Sequence, residues 1–100
     1  MNIVNHIAAT IQCGWSTDLA NQYNSWHYEV LHKKWSSFAD LQDDYTDAEY
    51  LAPGKVAFHI MRHRAVIYVH IEYAIGWVYV RFVGTNEEFA AFMKKIDEVA

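Results

Sequence analysis

The end of a β-rich run, residues 77–89, constrains the fold of this chain more than any other stretch. Its first part, 77–83, is rich in aromatic and β-branched residues and predicts a strand. Gly84 ends that pattern, Thr85 suits the N-cap position of a helix, and Glu88 stands three residues after the cap. Thr followed at this spacing by Glu is a capping box, in which each side chain accepts a hydrogen bond from the other residue's backbone N–H. The stretch therefore predicts a strand that leads directly into a helix.

The rest of the chain supplies further strands and helices. Two more β-rich runs precede the last strand, and apolar residues recur at helical spacing upstream of them. Ser37, with Asp40 three residues later, is a second candidate capping box. Residues 43–54 are acidic and irregular in pattern, and Pro53-Gly54 predicts a turn. We therefore predict one α+β domain over residues 1–100. Its predicted helices lie at 6–13, 18–34, 38–44 and 86–99, and its strands at 1–5, 55–61, 64–73 and 77–83.

Strand parity assigns the side chains to two faces of the sheet, because successive side chains of a strand point to opposite sides. The purely apolar sets belong to a core against the helices. The mixed sets form a second face, on which apolar and aromatic residues stand beside Arg and His. The predicted core comprises Trp26, Val30, Phe58, Ile67, Val69, Ile71, Val78, Val80 and Phe82.

Charge and composition narrow the kinds of partner. Eight basic and twelve acidic residues give a net charge of −4, which argues against a partner held mainly through phosphates. The single Cys13 provides no disulfide framework and fits a reducing cytoplasm. The sequence shows no membrane span and no signal peptide. Its six histidines lack zinc spacing, so we expect neither a metal nor another cofactor.

Several separated positions carry a resemblance to a known family. They are Trp26, Trp35, Asp40, Tyr45, 56–60, 71–73 and 79–85. Over about 26–89 the chain resembles the HigB-like toxins of the RelE superfamily, and its Arg-Phe-Val-Gly-Thr run is the most specific part. Those toxins are small cytoplasmic endoribonucleases of bacterial toxin–antitoxin pairs, and they cut messenger RNA, typically on the ribosome. The resemblance implies N-terminal helices packed on a small, curved, mainly antiparallel sheet, a C-terminal helix, and an RNA-cutting site on the open sheet face.

Several candidate catalytic positions depart from the family pattern. The family usually has Asn, an aromatic residue, Arg, His, Tyr and Asp where this chain has His63, Ala65, Val66, Asn86, Phe89 and Ala90. Arg81 and Glu88 persist, and Lys55 stands in a position that is often basic. The departures predict that the usual acid, hydroxyl and phosphate clamp are missing, and that strong ribonuclease activity is absent.

Three classes of function remain open. The first choice from sequence is a catalytically disarmed HigB-like fold that binds another protein, either a target or an antitoxin. Deliberate redesign into a binder or inhibitor would leave this pattern, and so would natural decay. The alternative is an active, ribosome-dependent messenger-RNA endoribonuclease, in which His59, Arg64, His70 and Arg81 replace the usual groups. The third class is a purely structural partner, such as an antitoxin-bound remnant.

The second sheet face is the predicted protein-binding surface, because Arg and aromatic residues are enriched at interface hot spots. The first predicted helix is a second candidate, through Ile7, Ala8, Ile11 and Trp15. A competing expectation is that the C-terminal helix covers Trp77 and Tyr79 through Phe92 and Ile96. The predicted binding residues are Met61, Arg62, His63, Arg64, Val66, Tyr68, Trp77 and Tyr79.

Overall fold

The computed structural model describes residues 1–5 and 17–99, and it confirms the predicted α+β architecture. Five strands form one sheet in the order β1-β5-β4-β3-β2; β1 is parallel to β5 and all other neighbours are antiparallel. The helix predicted at 6–13 lies outside the described residues, as do Ile7, Ala8, Ile11, Cys13 and Trp15. Within the described ranges, no helix combines the length and apolar character needed to cross a bilayer. The elements are β1 (Asn2–Asn5), α1 (Thr17–Leu31), α2 (Phe38–Asp44), β2 (Glu49–Ala52), β3 (Lys55–Ile60), β4 (Ala65–Glu72), β5 (Trp77–Thr85) and α3 (Asn86–Val99).

Side-chain caps determine where two of the helices begin. At α3, the Thr85 N–H donates to Glu88 Oε1 at 2.9 Å, and the Glu88 N–H donates to Thr85 Oγ1 at 3.2 Å, which confirms the capping box. At α2, the Asp40 N–H donates to Ser37 Oγ at 3.4 Å. Asp40 Oδ2 in turn accepts from the backbone of Ser36, at 3.0 Å. Both helices therefore start where the sequence predicts.

The core lies between α1 and one face of the sheet. Trp26 and Val30 of α1 are buried there, and Phe58 of β3 lies beneath them. The Phe58 ring meets Trp26 edge-on at 5.3 Å between centroids, and Tyr45 in the same way at 5.1 Å. Apart from Phe82, the predicted core is confirmed, since Trp26, Val30, Phe58, Ile67, Val69, Ile71, Val78 and Val80 are all buried.

A β-bulge in β5 places Phe82 on the other face, so the prediction that it belongs to this core is wrong. Val80 pairs with Val69 and Phe82 pairs with Tyr68, which leaves Arg81 as the extra residue. A bulge shifts the alternation of side chains by one position. Val83, which parity alone assigns to the second face, is accordingly buried in the core cluster.

The predicted irregular stretch 43–54 contains an edge strand, β2, that the sequence analysis missed. Glu49 pairs with Ala57, and Tyr50 pairs with Val56, before the register becomes irregular. The turn at Pro53-Gly54 is confirmed. Gly54 has a φ of +76° and a Cβ there would lie 3.0 Å from a backbone oxygen, so glycine suits this position on both counts.

The C-terminal helix covers half of the second face. Phe89 and Phe92 of α3 place their rings 5.6 and 6.1 Å from Tyr68. Tyr68 is consequently 6% exposed, and Val66 on the same face is 1% exposed, whereas Trp77 keeps 37% of its surface exposed. The expectation that Phe92 covers Trp77 is therefore wrong, whereas Tyr79 is half-buried. The part of the expectation that concerns Ile96 lies outside the described side chains. The strip of the second face beside α3, which carries Trp77 and Tyr79 and which we call the uncovered strip, is left open by the described side chains of that helix.

Candidate functional site

The bulge determines which side chain enters the uncovered strip. Because Arg81 is the extra residue of β5, it lies on the same face as its neighbour Phe82. Phe82 stacks on Phe92 of α3 at 4.8 Å between centroids, while the exposed Arg81 lies at the mouth of a cleft beside that helix. Bulges commonly redirect a side chain next to an active site.

This cleft, which we call the sheet–helix cleft, has a volume of about 320 Å³. Strand pairing explains its composition, since Lys55 of β3 lies directly opposite His70 of β4. Tyr68 stands two residues before His70 on the same face of β4, and Arg81 comes from β5. The residues that line the cleft are Lys55, Tyr68, His70, Arg81 and Phe92.

The polar groups of the sheet–helix cleft have distinct chemical properties. His70 Nε2 lies 2.8 Å from Glu72 Oε1, so the carboxylate holds the imidazole in position. Burial raises the pKa of the Tyr68 hydroxyl, and the charge of Arg81 offsets part of that rise. Tyr68 is therefore protonated at neutral pH. Lys55 and Arg81 add two positive charges, which suit an anionic ligand such as a phosphate.

The structure brings together half of the alternative catalytic set. His70 and Arg81 both line the sheet–helix cleft, as their shared face predicts. His59 instead lines a separate cavity of about 280 Å³, where its Nε2 lies 3.6 Å from Glu49 Oε2. Arg64 is exposed at the β3–β4 turn, and its Nε donates to the Met61 carbonyl at 3.3 Å. Neither His59 nor Arg64 lines the sheet–helix cleft.

The sequence analysis did not assign Lys55 and Tyr68 to a catalytic cleft. Both stand on the second face by parity, but their proximity to His70 and Arg81 depends on the register between three strands. Counting residue pairs outward from the β3–β4 turn pairs Lys55 with His70. The sequence therefore contains enough information to predict that these two side chains are neighbours.

The β3–β4 turn is held in an unusual conformation. Met61, Arg62 and His63 all have positive φ angles, of 52°, 55° and 67°, which side-chain-bearing residues rarely adopt. The side chain of Asn86 donates a hydrogen bond to the His63 carbonyl. The backbone N–H of Asn86 donates to the Arg64 carbonyl at 3.2 Å. Asn86 thus ties the turn to the start of α3.

The cavity beside this turn brings two imidazoles together without forming a metal centre. The rings of His59 and His63 lie 5.5 Å apart, and His63 Nε2 lies 3.3 Å from Asp47 Oδ2. Across residues 1–5 and 17–99, no three His, Cys, Asp or Glu side chains are arranged to hold a metal ion. The two histidines are instead paired with separate carboxylates, those of Glu49 and Asp47.

The predicted protein-binding set is divided by the structure. Val66 and Tyr68 are only 1% and 6% exposed, so the expectation that they lie on an open face is wrong. Met61 is half-buried against the core, whereas Arg62, His63 and Arg64 are exposed. Trp77 and Tyr79 remain accessible in the uncovered strip. A binding role for the exposed members stays a prediction.

Comparison with known proteins places the chain in a family. Residues 19–92 match the HigB_toxin family, described as the RelE-like toxic component of a toxin–antitoxin system. The match runs from α1 into α3 and includes all five residues of the sheet–helix cleft. No curated protein matches the chain. The match covers well over half of the chain, so this protein belongs to the HigB family of RelE-like toxins.

Proposed function

We propose that this HigB-family protein cleaves single-stranded RNA in the sheet–helix cleft and that an antitoxin protein is its natural partner. The observation that carries the proposal is the convergence of Lys55, Tyr68, His70 and Arg81 from three strands on one cleft. Together they offer an imidazole, a protonated hydroxyl and two cations, which are the groups that cleavage through the ribose 2′-OH requires.

His70 is the proposed general base. Glu72 binds its Nε2, which leaves Nδ1 to take the proton of the 2′-OH. The 2′-oxygen then forms a bond to phosphorus as the bond from phosphorus to the 5′-oxygen breaks. The products are a 2′,3′-cyclic phosphate and a free 5′-hydroxyl. Tyr68, whose pKa is raised by burial, gives its proton to the departing 5′-oxygen.

Arg81 and Lys55 are the proposed groups for charge stabilisation. Negative charge accumulates on the phosphorane oxygens during the reaction, and preorganised cations there stabilise the transition state. Arg81 can bind two of those oxygens through its planar guanidinium group, whereas Lys55 acts as a point charge. A contribution of about 100- to 1,000-fold in rate is typical of one such group.

The competing hypothesis, that catalysis has been lost, depended on substitutions at the usual catalytic positions. Three of the substituted residues have structural roles here: Val66 is buried, Asn86 secures the β3–β4 turn, and Phe89 packs on Tyr68 and Phe82. Lys55 and Arg81, at positions where the resemblance also has basic residues, share the sheet–helix cleft with Tyr68 and His70. This arrangement supports a relocated set of catalytic groups rather than an empty site.

Expression in a bacterial cell tests the proposal. The parent should arrest growth and fragment messenger RNA, and His70→Ala or Arg81→Ala should relieve both effects. His32→Ala and Arg62→Ala are matched controls, because these exposed side chains lie outside the cleft, and they should remain toxic. Normal growth with intact messages on expression of the folded parent would support the disarmed alternative, and toxicity retained by both cleft variants would place the chemistry elsewhere.

A further inference from the structure

A short row of aromatic rings leads away from the sheet–helix cleft along the uncovered strip. Trp77 and Tyr79 stand two residues apart on β5, with ring centroids 6.1 Å apart and planes inclined by 30°. Tyr79 in turn lies 6.3 Å from His70, which lines the cleft. The three rings therefore form a continuous track that starts at the proposed reaction site.

The outer end of this row is accessible. Trp77 keeps 37% of its surface exposed, the only tryptophan among the described residues with so much exposed surface. The described rings of α3, those of Phe89 and Phe92, pack on Tyr68 and Phe82 and do not contact Trp77. One face of the sheet thus offers a row of aromatic rings directly beside a cationic cleft.

We propose that Trp77 and Tyr79 bind the bases of the nucleotides next to the cleaved phosphate by stacking. The proposal rests on the proposed RNA cleavage in the sheet–helix cleft and adds a second, base-binding part to that site. Every base has a flat π-face, so aromatic side chains on an open sheet can hold single-stranded RNA with little regard to sequence.

The charge of the protein favours a nucleobase as the occupant of this row. The net charge is −4, and Lys55 and Arg81 are the two Lys or Arg side chains that line the cleft. Two phosphate contacts provide weak binding at physiological salt. Base stacking adds binding affinity without requiring further cations. The aromatic row can provide this stacking next to the cleft.

Equilibrium binding of a fluorescent hexanucleotide of 2′-O-methyl RNA tests the proposal, because this RNA has no free 2′-OH and is not cleaved. A hexamer of the same backbone without bases is the matched probe. Trp77→Ala and Tyr79→Ala should each raise the Kd for the complete hexamer about five- to 100-fold. Neither variant should change the Kd for the abasic hexamer.

Three control variants separate stacking from other effects. Trp77→Phe keeps an aromatic ring and should retain most of the affinity. Ile75→Ala removes an apolar side chain that is 61% exposed in the β4–β5 turn, and it should bind as the parent does. Arg81→Ala should weaken binding of both hexamers, because it removes a phosphate contact. Thermal unfolding of each variant verifies that it is folded.

The outcomes distinguish this inference from the proposed function. If Arg81→Ala weakens binding but Trp77→Ala and Tyr79→Ala bind as the parent does, stacking is excluded while the cleft proposal stands, and the aromatic row is left to a protein partner. If the folded parent binds neither hexamer and cleaves no RNA, both proposals fail. If Trp77→Ala and Tyr79→Ala raise the Kd for the complete and the abasic hexamer equally, stacking is also contradicted.

Discussion

At the scale of single residues, Phe58 is the centre of the core. It is 1% exposed, and the rings of Trp26, Trp35 and Tyr45 surround it at 5.1–6.1 Å between centroids. Phe58→Ala should therefore lower the free energy of unfolding by about 3–5 kcal/mol. Phe82→Ala should cost less, because Phe82 lies half-buried on the opposite face. Urea denaturation of both variants measures the difference, and equal costs would contradict the assignment of Phe82 to the α3 side.

Asp44 is a second residue with a measurable role, in the acid sensitivity of folding. The Trp35 Nε1–H donates to its carboxylate at 2.8 Å and lowers its pKa, burial opposes that shift, and Lys33 at 3.6 Å lowers the pKa further. A carboxyl group whose pKa is lowered by folding stabilises the protein above its unfolded pKa, near 4, and loses this contribution as the pH falls through the folded value.

Asp44→Asn should therefore be less stable than the parent at pH 6, and the difference should shrink at pH 3. Asp43→Asn, an exposed neighbour, is the control and should follow the parent at both values. Urea midpoints at the two pH values provide the comparison. A constant difference between parent and Asp44→Asn would show that the hydrogen bond to Trp35 acts independently of the charge.

At the scale of elements, the bulge in β5 leads us to predict that Arg81 can be deleted without loss of the fold. Removing Arg81 leaves Phe82 opposite Tyr68 and Val80 opposite Val69, as they are now, because Arg81 is the extra residue. The deletion variant should keep cooperative thermal unfolding and lose RNA cleavage to the same extent as Arg81→Ala.

Deletion of Val80 is the control for this prediction. It would move Arg81 into the buried position opposite Val69, where an unpaired charge is strongly destabilising, so this variant should not fold. If deletion of Arg81 unfolds the protein as completely as deletion of Val80 does, Arg81 is not the extra residue of β5.

The elements also show how far the sequence predicts this structure. The bounds of α2 and α3 follow from Ser37 and from Thr85, because side-chain caps are local signals. The bulge was not predicted, because Arg81 is an extra residue only with respect to the pairing of β5 with β4. β2 was missed because the four residues of this edge strand are too few to show alternation.

The same contrast holds for the site. Parity predicted that His70 and Arg81 share a face, but their convergence with Lys55 and Tyr68 depends on strand register and on where α3 crosses the sheet.

At the scale of the whole molecule, net charge and cleft charge have opposite signs. The protein carries eight Lys and Arg against twelve Asp and Glu, yet two of those cations line one cleft. Single-stranded RNA releases about 0.7 counterions for each phosphate neutralised, so binding through Lys55 and Arg81 predicts a slope of about −1.4 in log Kobs against log salt. Titration of the uncleavable hexamer between low and moderate KCl measures this slope. A slope steeper than about −3 would indicate that cations outside the cleft take part.

The most direct test of the central claim is the chemistry of messenger RNA incubated with purified protein in a translating extract. We expect fragments that end in a 2′,3′-cyclic phosphate and begin with a 5′-hydroxyl. It also predicts that His70→Ala lowers the rate about 100- to 10,000-fold, whereas His32→Ala leaves it unchanged. Intact message after incubation with the folded parent, or cleavage by His70→Ala at the parental rate, would contradict it.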